Sequence, residues 1–140
     1  MKQNPSKLKF KKLHKINFVY SKIQDNKTFM LNFGLLGIQA LQYGRLTYKQ
    51  IEACRRTIRR GLKKTGNIWI NVFTYVPITK KPIASRMGKG KGNISHWVAP
   101  IRRGQVSYEI NSFETVRTHN ILKKVISRLP FKSKIISPRY

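Results

Sequence analysis

Acid is what this chain has least of. Asp25, Glu52, Glu109 and Glu114 stand alone against thirty Lys and Arg in 140 residues, a formal charge of +26. Scattered so widely, the four offer no paired carboxylates for general acid–base work and no acidic cage for a metal. His14, His96 and His119 are as dispersed, so each reads as a surface or core histidine and not as a general base. The single cysteine, Cys54, excludes an internal disulfide; inside a helical pattern it reads as a small buried hydrophobe, in keeping with a reducing compartment. Long apolar runs are missing as well. The longest, residues 29–40, is interrupted by Asn32, Gly34, Gly37 and Gln39 and falls short of the ~20 residues a bilayer span needs. The first 24 residues lack acid but also lack Arg and are poor in Ser, so they read as mature protein and not as a transit peptide.

What is present is a polycation with a hydrophobic fraction of 40%, enough to fold. So large a surplus repels itself unless a densely negative partner compensates it, and nucleic acid fits that description. A membrane surface fits less well, because basic amphipathic binders concentrate charge on one helix, whereas here it runs from Lys2 to Arg139.

The clearest predicted element is a helix. Thr47 and Gln50 form a capping-box pattern ahead of "IEACRRTIRRGLKK", and the helix is expected to run about five turns and stop near Gly66. Ile51, Cys54, Ile58 and Leu62 share one side, which leaves Arg55, Arg56, Arg59, Arg60, Lys63 and Lys64 on the flanks and outer face. Solvated helix faces usually interleave charges of both signs for i,i+4 support; this one forgoes it, which points to phosphate. Before it, "KLKFKKLHKINFVY" reads as a basic extended arm or edge strand, and "TFMLNFG" and "GIQALQYG" as two short strands. After it, "NIWINVFTY" is apolar on both faces and reads as a central strand, with Trp69 and Phe73 in the core. "ISHWVAPI", the turn "RRGQ" and "VSYEI" resemble a hairpin with Gly104 at the tight position. A second helix begins around Ser112, carries Ile121, Leu122, Val125, Ile126 and Leu129, and ends at Pro130; "FKSKIIS" supplies a last strand. The order predicts an α+β fold: two helices packed on a mostly antiparallel sheet, with a basic N-terminal arm (1–27) and a Gly/Lys-rich loop (84–94) in one domain spanning 1–140.

That loop, "RMGKGKGN" at residues 86–93, is not a nucleotide-binding loop. Gly90 and Lys91 are followed by Gly92, so no Ser or Thr follows to hold a metal, and strand rather than helix comes after. Neither nucleotide cofactor nor metal is expected. Glycine lets such a backbone approach a phosphodiester chain closely while Arg86, Lys89 and Lys91 supply charge.

Four stretches carry a family pattern: "KFKKLHK" at 9–15, "GRLTYKQIEACRRTIRR" at 44–60, "IWINVFTYVPITKKP" at 68–82, and "RMGKGKGN" followed by "WVA". Together they resemble the large-subunit ribosomal protein sixteen family of bacteria and organelles, in the same order and over most of the chain. The resemblance implies a non-enzymatic structural constituent of the large ribosomal subunit, bound to rRNA near where aminoacyl-tRNA enters. It implies rRNA contacts by Lys9, Lys11, Lys12, His14 and Lys15 of the arm, by Arg45, and by Arg55, Arg56, Arg59, Arg60, Lys63 and Lys64. It further implies a tRNA-facing loop of Arg86, Met87, Gly88, Lys89, Gly90, Lys91, Gly92 and Asn93. The expected partners are rRNA, tRNA and neighbouring ribosomal proteins, without homo-oligomerisation. Departures occur at Asn67 and Asn71, where members commonly carry basic residues, at "TYV" (74–76), in "INFVY" after Lys15, and in a last helix poor in alanine. With the richness in Ile, Lys, Asn, Phe and Tyr, these suggest an AT-rich organellar genome and a mitochondrial ribosome, with plastid or bacterial cytoplasm as alternatives. A free basic RNA-binding protein is the competing reading.

Overall fold

A computed structural model describes residue 5 and residues 8–14, 30–63, 65–88 and 90–138. Thr47 caps the first helix, α1 (Tyr48–Leu62), as the sequence predicts: its hydroxyl accepts from the Gln50 N–H, and the Gln50 side chain accepts from the Thr47 N–H at 2.9 Å. The helix is a turn shorter than expected. Lys63 takes a left-handed conformation (φ 47°) and ends it, and Gly66 already begins β3 (Gly66–Ile70).

Among the described residues, seven strands form two antiparallel sheets. Beside β3, the four-stranded sheet contains β1 (Leu36–Ala40), β6 (Val106–Ser112) and β7 (Ser133–Ile136), in the order β3-β6-β1-β7. The three-stranded sheet contains β2 (Gly44–Thr47), β4 (Val76–Lys80) and β5 (Asn93–Ile101), in the order β2-β5-β4. One hydrophobic cluster joins them: Ile38 and Ala40 from β1, Leu46 from β2, Ala99 and Ile101 from β5, Tyr108 and Ile110 from β6, and the inward stripes of both helices. The stripe of α1 is the predicted one, with Ile51, Cys54, Ile58 and Leu62 each at most 1% exposed. Burial pushes the Cys54 thiol above its ordinary pKa and raises the Tyr108 phenol further; that hydroxyl donates to the Ile51 carbonyl at 3.2 Å.

The second helix, α2 (Thr115–Ile126), buries Thr118, Ile121, Leu122 and Val125. Gly61 explains how α2 meets α1: a Cβ there would lie 2.6 Å from Ile121 Cδ1, so a residue that costs helix propensity is what allows close crossing.

Several expectations change. Residues 67–75 do not make a central strand. β3 ends at Ile70 and, among the described residues, pairs only with β6, at the edge of the sheet. Beyond it the chain alternates without a ladder, Val72 and Thr74 buried, Phe73 and Tyr75 exposed, so Phe73 is not a core residue. The turn at Gly104 exists (φ 87°), but it joins no hairpin: β5 pairs with β2 and β4, whereas β6 pairs with β1 and β3. Strand partners chosen across tens of residues leave no local trace in the sequence. Residues 30–35 of the stretch read as a first strand are irregular, and residues 15–29 lie outside the described residues together with Lys64 and Lys89.

Candidate nucleic-acid interface

The outer face of α1 is organised around its one acid. Glu52 accepts from Arg55 Nε at 2.8 Å and Nη2 at 2.7 Å, a bidentate pair, and from Arg56 Nε at 2.9 Å. The two guanidiniums hold the Glu52 carboxyl well below the usual carboxylate range, at about 2, and the same pairing raises Arg55. Arg59 Nη1 donates to the Gly66 carbonyl at 3.1 Å, fastening the last turn of α1 to the start of β3. Arg60 and Lys63 are exposed. A residue the sequence reading missed joins this group: Arg128, just past α2, donates from Nη1 to Thr57 Oγ1 at 2.9 Å. Tyr48, Lys49, Arg56, Arg60 and Arg128 then line one groove along α1. Nothing in the sequence ties position 128 to position 57, although an arginine ending a helix whose apolar stripe must face α1 was a usable signal.

The loop is built differently. Residues 81–88, 90 and 91 are all exposed, including Arg86, Met87, Gly88, Gly90 and Lys91; Gly92 is half-buried where Asn93 opens β5. Gly88 and Gly90 have φ of +91° and +80°, and a Cβ at either would meet nothing within 4 Å, so conformation and not space calls for glycine there. Among the described residues, the bonds within the loop are from Lys81 Nζ to the Gly88 carbonyl at 2.6 Å, and from Ser85 N–H at 3.2 Å and Ser85 Oγ at 2.9 Å to the Pro82 carbonyl.

The structure brings this loop to the N-terminal cations. Lys12 Nζ donates to the Lys91 carbonyl at 3.1 Å, and Lys91 Nζ donates to the Leu13 carbonyl, so two like charges are held in neighbouring backbones. Lys9, Lys11, Lys12 and His14 are exposed, with Lys9 Nζ 5.7 Å from the Phe10 ring centroid. Lys15 and Lys89 are outside the described residues. Arg45 is exposed on β2, apart from the α1 cluster in sequence but paired in register with Pro100 of β5.

Glu109 has no place in this charged surface, and its use was not legible beforehand. Fully buried on β6, it accepts at Oε2 from three consecutive backbone N–H groups, Asn32 at 3.0 Å, Phe33 at 2.7 Å and Gly34 at 3.0 Å, while Asn71 Nδ2 donates to Oε1. Successive N–H groups converging on one anion form a nest. The clamp seats Phe33 against Trp69, with centroids 5.9 Å apart and planes 22° from parallel. Asn71 is thus committed to an internal acid.

Among the described residues, no group of three His, Cys, Asp or Glu side chains is placed to hold a metal, and no helix is long and apolar enough to cross a membrane.

Comparison with known proteins agrees with the pattern of motifs. The profile of the ribosomal protein L16p/L10e family matches residues 5–136. The large ribosomal subunit protein uL16 of Blochmanniella pennsylvanica is 46% identical over 132 residues, covering 94% of this chain and 96% of its own. That of Buchnera aphidicola subsp. Cinara cedri is 46% identical over 134 residues (95% of each), and that of Psychrobacter arcticus 41% over 132 residues (94% of each). With a family profile and relatives both spanning nearly its whole length, the chain belongs to the ribosomal protein L16p/L10e family.

Proposed function

We propose that this protein is a structural constituent of the large ribosomal subunit, a single rRNA-binding domain over residues 1–140 that makes no covalent chemistry of its own. The observation that carries the reading is the groove on α1, where Arg56 and Arg60 of the helix converge with Arg128 from just past α2 above a fully buried stripe while one acid serves the entire face. Cations held in fixed positions on a rigid element suit a phosphate backbone of fixed geometry. In this reading Arg45, Arg55, Arg56, Arg59, Arg60, Lys63 and Lys64 bind rRNA, joined by Lys9, Lys11, Lys12, His14 and Lys15 of the arm (1–27). The loop (84–94), from Arg86 to Asn93, faces tRNA near where aminoacyl-tRNA enters, and its contact with Lys12 and Leu13 joins it to the described part of the arm.

The test is sedimentation of a lysate in magnesium buffer, before and after a high-salt wash, with the protein quantified beside rRNA. Stoichiometric presence in the washed large-subunit peak is expected; recovery only at the top of the gradient favours a free RNA-binding protein. Charge reversal at Arg55, Arg56, Arg59 and Arg60 is expected to keep the chain out of subunits. Alanine at Arg86, Lys89 and Lys91 is expected to leave subunits assembled but weaken tRNA binding, and unchanged tRNA binding would reassign the loop to scaffolding. The bacterial origin of the relatives favours a bacterial cytoplasm over the mitochondrial ribosome suggested by composition; fractionation of source cells decides between them.

A further inference from the structure

A second surface next to α1 combines cations with an aromatic ring that no described residue covers. Phe113 stands between β6 and α2 as a fully exposed residue (100%), and Val116 nearby is 77% exposed. The backbone on either side of the ring is anchored: Ser112 before it is buried on β6, and after it the Glu114 carbonyl accepts from both Thr118 N–H at 3.0 Å and Thr118 Oγ1 at 2.7 Å, starting α2. Phe113, Val116 and Ile121 line a groove whose rim carries Arg60, Lys63 and Lys124. Arg117 in the same groove is taken by Glu114 at 3.0 Å. The other ion pairs among the described residues belong to Glu52, which leaves Arg60, Lys63 and Lys124 without an acidic partner there. Arg60 also lines the α1 groove with Arg56 and Arg128, so the two cationic surfaces are continuous.

We propose that this groove binds an unpaired nucleotide of single-stranded RNA, its base stacked on Phe113 and its flanking phosphates on Arg60, Lys63 and Lys124. The inference rests on the rRNA-binding reading above and adds to it a stacking site that duplex phosphate contacts do not need. A purely apolar partner would cover Phe113 but strand three cations at the rim. An RNA strand satisfies both demands, because every nucleotide carries a π face and a negative charge, and its backbone can continue along Arg60 onto α1.

The experiment is a titration of the full chain with an oligoadenylate of about twelve nucleotides, a length within the range of single-strand binding sites, at several salt concentrations. Phe113→Ala and Phe113→Leu are each expected to weaken binding by about fivefold or more, and Phe113→Tyr to stay within about twofold of the parent, because a ring and not apolar bulk is needed. The slope of log K against log salt is expected to stay the same in all three, whereas Lys124→Gln lowers it by about 0.7 for one lost phosphate of a single strand. The Phe113 effect should vanish on a duplex. If Phe113→Ala binds like the parent while Arg56→Gln/Arg59→Gln loses affinity, the stacking site falls and the α1 reading stands. If neither variant changes binding, the rRNA-binding reading falls with it. Displacement of the oligoadenylate by an acidic Glu/Leu peptide that binds more tightly, and depends on Phe113, would give the groove to a protein neighbour and overturn the proposal.

Discussion

The outer face of α1 and the loop of residues 81–92 are both strongly basic, yet the protein supports them in opposite ways. Under the helix lie Ile51, Cys54, Ile58 and Leu62, none more than 1% exposed, and around it Glu52 holds two arginines while Thr57 and the Gly66 carbonyl hold one each. Beneath Gly88 and Gly90 there is nothing within 4 Å of where a Cβ would sit. The helix positions charge before any partner arrives; the loop supplies charge on a backbone whose final path a partner can set, at the cost of ordering it on binding. A third segment, residues 32–34, shows that irregular backbone alone does not decide the matter. It has no regular structure, but three of its N–H groups are spent on buried Glu109.

The strongest way to break the contrast is to remove what lies under the helix. Ile58→Ala deletes buried methyl groups and is expected to cost about 2–5 kcal/mol, lowering the denaturant midpoint and weakening RNA binding although no cation has changed. If stability falls but affinity measured on the folded fraction is untouched, the helix's cations do not depend on its seating.

Next comes the clamp. Glu109→Gln presents an amide with half the acceptor capacity to three N–H donors, and the loss of charge-assisted bonds is expected to cost roughly 2–3 kcal/mol. Amide hydrogen exchange at residues 32–34 is the specific readout. It should accelerate there while α1 exchanges slowly, which would turn the clamped segment into one resembling the 81–92 loop. Unchanged protection at 32–34 would mean that the Phe33–Trp69 stack suffices.

In the loop itself, Gly88→Ala forces a Cβ into a backbone with φ +91°. With open space around it the chain can relax, so the expected stability loss is under about 1 kcal/mol, read as a small shift in thermal midpoint. Assembly should likewise proceed, and any defect should fall on tRNA binding. A loss as large as that of Ile58→Ala would show that the loop is as firmly built as the helix.

The sequence made α1 legible because everything that defines it is local: the cap at Thr47, the i,i+3/i+4 stripe and the cations between. Its length was overestimated because Lys63, and not glycine, takes the left-handed exit. What local pattern could not carry was partnership across the chain. β3 reads as central because Ile68, Trp69 and Ile70 are all apolar, but Trp69 faces Phe33 from a segment 36 positions away, and β5 and β6 flank a proper turn yet part into separate sheets. Glu109 looked like one more scattered acid for the same reason: its partners are main-chain groups, which leave no mark in side-chain identity. Arg128 was overlooked because its distance from Thr57 is 71 residues in sequence and 2.9 Å in space.

The smallest expected effect concerns the acid that arranges the helix face. Solvent screens Arg56, 72% exposed, more than Arg55, 38% exposed, so Glu52→Gln is expected to cost no more than about 1 kcal/mol. Its pH dependence has a definite sign. Because the folded carboxyl titrates at about 2 and not at its ordinary 4.5, the contribution is complete above about 4.5 and is lost as pH falls from there through 2. Denaturant unfolding of parent and Glu52→Gln should therefore differ by a constant amount from neutral pH down to about 5 and converge near pH 2. A difference that persisted at pH 2 would assign the stabilisation to packing of the side chain. A difference absent at every pH would mean that the arginines of α1 need no organising acid, and the helix face would then stand closer to the loop than its geometry implies.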